Sequence, residues 1–420
     1  MTVELRPYGV TCNLSCTYCY QNPQRDAQNL GQRYDVEAMK RGILAEGGSF
    51  TLFGGEPLLV RVEHLEDLWS WGLEQFGANG VQTNGALIND EHMRLFRDYK
   101  VHVGISIDGP GELNDARWAG SLERTREATA ASEAAIARLC AENMAPSLIV
   151  TLSRMNATKE KLPRLADWLR TMGGMGVSSA RLHLLEVEDE ATRRTLALTP
   201  EENIRALSHF EDFQAGPLSF DVFEDLRRML LGSDNNTTCV WNACDPYTTR
   251  AVRGVEGRGQ RSNCGRTNKD GIDFLKASRE GFERYVALYH TPQACGGCQG
   301  CRFFLMCKGQ CPGTAIDGDW RNRTEHCEVW MTLYRRMEER MLGEGQFPLS
   351  CSALRPAIER HLLDGWLRGE NRSMQTWLEA GPAGQAGART GGHGDHTDGH
   401  GDHTDAGRVA AVREGAHELA

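Results

Sequence analysis

Three cysteines near the start of the chain, Cys12, Cys16 and Cys19 in "CNLSCTYCY", stand at the spacing C-x3-C-x2-C. A structural zinc site takes four protein ligands, and no fourth Cys or His lies nearby in the sequence. Three thiolates on one loop fit instead a [4Fe-4S] cluster whose fourth iron stays open to a substrate or cofactor. A second concentration of cysteine runs from Cys239 to Cys327, and "CGGCQGCRFFLMCKGQC" (295–311) places five thiols in seventeen residues. Its C-x2-C pairs suit zinc ribbons as well as iron–sulfur ligation.

The composition narrows the choice. The 420 residues have room for two or three domains, with 25 % charged and 40 % hydrophobic residues, as in soluble globular proteins. A net charge of -10 gives no electrostatic footprint for nucleic acid or an anionic membrane. No apolar run approaches the roughly 18 residues that span a bilayer, and "MTVELRPYGV" lacks the features of a signal peptide. The expected location is the cytoplasm, where disulfides are rare. Fourteen cysteines there point to metal or catalysis rather than cross-links.

The elements that must position these thiols alternate between strand and helix over the first 190 residues. Strand-like runs are "TVELRPY", "SFTLF", "GVQTN", "VHVGISI", "SLIVTL" and "ARLHLLEV". Between them lie helical patterns. Val36, Met39, Ile43 and Leu44 mark one helix face, and residues 124–142 are rich in helix-forming Ala, Glu and Arg. Strands each followed by a helix imply parallel pairing, in an open sheet or a full or partial barrel. Residues 191–235 read as a helical connector, 236–330 as the Cys-rich region and 331–380 as a helical extension. Across the start of the extension, Trp330, Leu333, Met337 and Met341 form a stripe. The 381–420 tail, poor in large apolar residues, reads as disordered. It repeats "HGDHTDG" at His393 and "HGDHTDA" at His400, which suits a solvated tail, divalent-metal binding or a fused peptide.

Three Gly-rich polar loops follow consecutive strands: "LFGGEP" (52–57), "QTNG" (82–85) and "ISIDGP" (105–110). Ligands bind at the strands' C-terminal edge in parallel sheets and barrels. The Cys triplet with GGEP, TNG and SIDGP resembles the radical S-adenosylmethionine (radical SAM) superfamily.

That resemblance implies an α/β fold with a partial (β/α)6 TIM-like barrel binding [4Fe-4S] and S-adenosylmethionine (SAM). Cys12, Cys16 and Cys19 would ligate the SAM cluster, and Tyr18 would approach the adenine. Gly54 and Gly55 would present backbone to the methionyl group, and Glu56 would accept from its amine. Asn84 of TNG would contact the cofactor, Ser106 would reach the ribose or carboxylate, and Arg124 would pair with the carboxylate. Asp108 reads either as a contact or as a turn residue.

The Cys-rich region resembles the SPASM extension of radical SAM peptide-modifying enzymes, by Cys244-x14-Gly259-x4-Cys264 and Cys298-x2-Cys301-x5-Cys307-x3-Cys311-x15-Cys327. By that resemblance Cys239, Cys244, Cys264 and Cys311 would hold one auxiliary [4Fe-4S] cluster, and Cys298, Cys301, Cys307 and Cys327 a second. Cys140, Cys295 and Cys351 are left over.

The resemblance, spanning residues 3–330, implies radical hydrogen abstraction followed by a cross-link or other oxidative modification of a ribosomally made precursor peptide. The expected partners are that peptide and a flavodoxin- or ferredoxin-type electron donor. With the first strand at the very start of the chain, a separate leader-binding protein or the 336–380 helices would deliver the peptide. A sulfatase-maturing, formylglycine-forming enzyme is one alternative, although Gly265 stands where that branch carries an acidic base. A non-catalytic iron–sulfur or metal carrier is the other, and it would not need GGEP and SIDGP loops. No catalytic base is assigned from the sequence.

Overall fold

A computed structural model of the chain describes residues 2–381 apart from 27–32, 188, 214–215, 246, 263 and 267–276. The HGDHTDG repeat and the rest of the tail from residue 382 lie outside the described residues. The chain divides into Met1–Glu379 and Ala380–Ala420.

All six expected strands form: β1 Val3–Arg6, β2 Phe50–Leu52, β3 Asn79–Thr83, β4 Val101–Ser106, β5 Ser147–Leu152 and β6 Ser179–Leu184. They pair in parallel in sequence order, so each link must cross back over the sheet. The crossovers carry helices α1 Asn22–Asp26, α2 Val36–Glu46, α3 Val62–Phe76, α4 Asp90–Asp98, α5 Leu122–Ala141 and α6 Leu162–Gly174.

The sheet extends beyond these six. After α7 Glu190–Thr195 and α8 Pro200–Glu211, β7 Ser219–Phe220 adds a parallel strand to β6. After α9 Asp221–Leu230, β8 Arg253–Glu256 pairs in parallel with the free side of β1, and β9 Arg261–Ser262 closes that edge antiparallel. The order is β7-β6-β5-β4-β3-β2-β1-β8-β9. β8 escapes an apolar-run reading because "RGVE" holds one apolar side chain, Val255, buried where it pairs with Leu5. The sheet therefore continues into the segments read from sequence as connector and Cys-rich region.

Helix α2 shows what fixes an element locally. Asp35 caps its first turn by accepting from the Ala38 amide at 2.9 Å, and Gly47 ends it at φ 70°. Met39 and Ile43 are buried, but Leu44 is 54 % exposed, so the apolar face is narrower than its spacing suggested. Gly259, the glycine of the Cys244–Cys264 spacing, sits at φ 77°, and a Cβ there would meet the Ala38 carbonyl at 2.3 Å. The glycine lets the Cys264 loop lie directly against α2.

Strands β5 and β6 bury alternate residues. Leu148, Val150 and Leu152, with Ala180, Leu182 and Leu184, join the core. The opposite phase points Ile149 and Thr151 of β5 and Arg181 and His183 of β6 into an internal cavity. Downstream come α10 Glu283–His290, α11 Phe304–Cys307, α12 Cys327–Gly343, α13 Arg355–Leu367 and α14 Met374–Glu379. Among the described residues no helix is long and apolar enough to cross a membrane.

Candidate active site

The Cys triplet lies on a loop pinned from three sides. The Ser15 and Thr17 amides donate to the carbonyls of Trp118 and Ala116 at 2.7 and 2.8 Å. The amides of Gly55 and Glu56 donate to Gly9 and Thr11 at 2.8 and 2.9 Å, and Asn84 Nδ2 donates to Asn13 Oδ1 at 2.8 Å. A Cβ on Gly55 would stand 2.0 Å from the Thr11 carbonyl, so only glycine permits this approach.

A cavity of about 410 Å³ opens over this loop. Cys12, Cys16 and Cys19 line one part of it, with Tyr18, Gly54, Gly55, Asn84 and Ser106, all expected at the cofactor site. Cys239, Cys244, Cys264 and Cys311 line another part.

The thiols fall into three groups by which sulfurs influence one another. Burial pushes the Cys16 thiol up to about 12, with Cys19 and Cys12 adding to it against the pull of Arg117. Burial likewise raises Cys244, and Cys239, Cys264 and Cys311 add to the rise. Cys307 is raised by burial and then by Cys298, Cys301 and Cys327. Cys16 thus lies near Cys12 and Cys19, Cys244 near Cys239, Cys264 and Cys311, and Cys307 near Cys298, Cys301 and Cys327.

Among the described residues no three His, Cys, Asp or Glu side chains converge to hold a single metal ion. A cubane cluster takes its thiolates one to an iron. The buried, mutually repelling thiols fit such a cationic iron core, which would ionise them. Cys295 and Cys351 are exposed, and Cys140 packs partly buried against the core.

Two expected cofactor contacts fall elsewhere. Arg124 is exposed in the first turn of α5, where its amide donates to the Ser121 cap. Arg117 lines the cavity instead, buried and 3.0 Å from Asp108 Oδ1, as do Arg25, Arg181 and Arg266. Glu56 does not line the cavity. Its Oε1 accepts from the Leu58 amide at 2.9 Å and Thr83 Oγ1 at 2.7 Å, and its Oε2 from the Asn84 amide at 2.9 Å. Glu56 thus clamps the GGEP loop to the TNG loop, a role its burial and short reach dictate.

Asp108 is more than a turn residue. It accepts from Arg117, from the Thr151 amide at 2.9 Å and from the Tyr18 hydroxyl, tying the triplet loop to β5.

Sequence reasoning also missed a polar group near Cys264. Arg266 Nη1 lies 2.5 Å from Glu186 Oε1, and Nη2 donates to His183 Nδ1. A guanidinium only donates, so His183 Nδ1 accepts and its hydrogen sits on Nε2. Burial and the nearby arginines, Arg266 first, drive the His183 pKa well below its ordinary value, which keeps it neutral. Glu186 Oε2 is buried with no hydrogen-bond partner among the described residues. The available signal was the alternation in "ARLHLLEV", where Arg181 and His183 interrupt an apolar strand at period two.

The superfamily model described as radical SAM matches residues 7–152, the span holding the triplet and all three loops. Residues 7–152 form a radical SAM domain. Such a domain implies a [4Fe-4S] cluster and SAM. A cysteine-type anaerobic sulfatase-maturating enzyme of Clostridium perfringens is 31 % identical over 129 residues, covering 27 % of this chain and 35 % of the relative. A serine-type counterpart from Klebsiella aerogenes is 32 % identical over 124 residues, covering 27 % of this chain and 31 % of the relative. The matched stretch thus spans about a third of these relatives. A solved structure described as native anSMEcpe with bound AdoMet and Cp18Cys peptide superposes with a TM-score of 0.61 at 19 % identity. It covers 82 % of this chain and 98 % of that one, so the shared fold reaches well beyond the radical SAM domain.

Proposed function

We propose that this radical SAM protein modifies a ribosomally made peptide oxidatively, with one SAM-binding and two auxiliary [4Fe-4S] clusters. The supporting observation is the single cavity that the Cys12 triplet and the Cys239–Cys244–Cys264–Cys311 quartet both line. A substrate held there would lie between a site of hydrogen abstraction and a site that can take up an electron.

When bound, the SAM cluster and SAM supply a 5'-deoxyadenosyl radical that removes a hydrogen atom from a C–H bond. Cys12, Cys16 and Cys19 would hold that cluster, and Tyr18, Gly54, Gly55, Asn84 and Ser106 would surround SAM. The Tyr18–Asp108–Arg117 network holds the triplet loop in register with β5. Arg266 balances Glu186, a cavity-lining carboxylate whose Oε2 is buried and unpaired among the described residues, so a small shift of the side chain would bring an acceptor to the substrate. Trp330 and Val240 present apolar surface to the cavity.

Formylglycine formation on a sulfatase is the second reading, favoured by the two maturating relatives. Gly265 offers no acid next to Cys264, but Glu186 brings a carboxylate to the same cavity from the loop after β6. Both readings are tested with anaerobically reconstituted protein, SAM and reductant. One set of reactions receives a short peptide encoded beside this gene, and another a sulfatase-derived Cys or Ser peptide. A mass change in the neighbouring peptide with 5'-deoxyadenosine release supports the first reading. Modification of the sulfatase peptide alone replaces it with the second. Failure to cleave SAM overturns both.

A further inference from the structure

The four buried cationic side chains among the described residues are Arg6, Arg117, Arg284 and Lys308. Three face a carboxylate: Arg6 pairs with Glu256 at 3.0 Å, Arg117 with Asp108 at 3.0 Å, and Lys308 with Asp234 at 4.0 Å. Arg284, on α10 and only 2 % exposed, does not. Its donors go to neutral oxygens: the carbonyls of Trp320 at 2.6 Å, Asn322 at 2.9 Å and Gln310 at 3.3 Å, and the Tyr285 hydroxyl at 3.2 Å. Asp245 feels its charge, but its Oδ1 is occupied by the amides of Tyr247 and Thr248 at 2.8 and 3.0 Å. Asp245 makes no salt bridge with Arg284 among the described residues, and a buried guanidinium is costly unless closely paired, so this place in the fold favours a further anion.

The surroundings of Arg284 say which anion. Gln310 directly precedes Cys311 of the first quartet, while Trp320 and Asn322 belong to the turn leading to Cys327 of the second. Tyr285, next in sequence to Arg284, donates its hydroxyl to the Cys244 carbonyl. The charge of Arg284 also acts on sulfurs of both sets, Cys244 and Cys311 in one and Cys298 in the other. A [4Fe-4S] core held by four thiolates is net anionic, and reduction adds one electron's charge.

We propose that Arg284 is a positioning residue between the two thiolate quartets, whose fixed charge balances both auxiliary clusters and raises their reduction potentials. This rests on the reading that the eight thiolates hold two clusters. Hydrogen bonds, net charge and burial are the means by which a protein sets such potentials, and here one side chain applies its charge to two clusters together.

The test compares wild type, Arg284→Gln and Arg284→Lys as full-length, anaerobically reconstituted chains. Iron is counted, and the auxiliary potentials are read by dithionite titration followed by electron paramagnetic resonance. A Cys12/Cys16/Cys19→Ala chain identifies the signal of the SAM cluster. Wild type should hold about twelve irons and the triple variant about eight, for three and two [4Fe-4S] clusters.

In Arg284→Gln the auxiliary reduction equilibria should shift at least tenfold toward the oxidised state, about 59 mV for one electron. Arg284→Lys should stay near wild type. Should the Gln variant lose auxiliary iron while the Lys variant keeps it, charge is again the requirement, and the proposal stands. Unchanged potentials in a fully loaded Gln variant overturn it. So does an equal shift or equal loss of iron in both variants, which would make the guanidinium's shape, not its charge, the need. A wild-type chain holding only about four irons refutes the cluster reading itself and this proposal with it.

Discussion

Arg266 Nη1 lies 2.5 Å from Glu186 Oε1, joining the residue two past Cys264 to the loop after β6. The pair ties the loop after β6 to the Cys-rich segment at the cavity wall. It holds a carboxylate beside Cys311 without leaving a bare buried charge.

Removing Arg266 should therefore cost more than removing Glu186. Arg266→Met leaves a buried carboxylate uncompensated and should destabilise the protein by about 3 kcal/mol, measured by anaerobic urea unfolding. Glu186→Gln keeps a polar side chain there and should lower stability by less. It should leave peptide-independent SAM cleavage near wild type while peptide modification falls by at least roughly tenfold, within the range of a lost proton-transfer or hydrogen-bonding group. Equal losses of both activities would place Glu186 outside the substrate's reach.

Arg117 and Arg124 separate a buried contact from an exposed one. Arg124→Ala should change stability by less than about 0.5 kcal/mol and leave SAM cleavage intact, as expected for an exposed side chain. Arg117→Ala strands the buried Asp108 and should cost about 3 kcal/mol or more together with SAM cleavage. Thermal unfolding and 5'-deoxyadenosine release decide between them.

Gly55→Ala places a methyl group 2.0 Å from the Thr11 carbonyl. The GGEP loop must move away from the triplet loop, at a cost of about 1–3 kcal/mol. The variant should keep the iron of the auxiliary sites and lose that of the triplet, read by iron analysis and the SAM-perturbed spectrum.

The thiols give stability a direction with pH. In the cluster-free protein burial holds Cys12 up at about 11 and Cys16 and Cys298 at about 12, whereas an unfolded thiol titrates near 8.5. Above about pH 8.5 the unfolded chain loses protons that the native chain retains, so native stability falls as pH rises toward these folded values. Each thiol contributes up to about 1.4 kcal/mol per pH unit. Iron loading ionises the thiols in the native state, so it should remove this decline. Urea unfolding between pH 8 and 10, with and without reconstitution, should show a steep and a flatter profile; parallel profiles would count against iron at these thiols.

The chemistry of this protein was legible where it depends on residues close in sequence. The Cys12–Cys16–Cys19 spacing, the GGEP, TNG and SIDGP loops and the six strands were each readable from a short window. Local backbone geometry and alternation act over that range. Glu56 shows the limit: its motif was plain, but its oxygens are taken by Leu58, Thr83 and Asn84.

The tertiary structure decided what depends on long-range approach. The register that sets β8 beside β1 joins residues about 250 positions apart, and no run of apolar residues announces it. Arg266 meets His183 across 83 positions, and Arg284 reaches carbonyls 26 to 38 residues away. The sequence by itself determined which thiols are present, how they are spaced and which local loops carry them. Only the fold decided which charges stand beside them, because a buried charge takes its partner from whatever the packing of distant segments brings within reach.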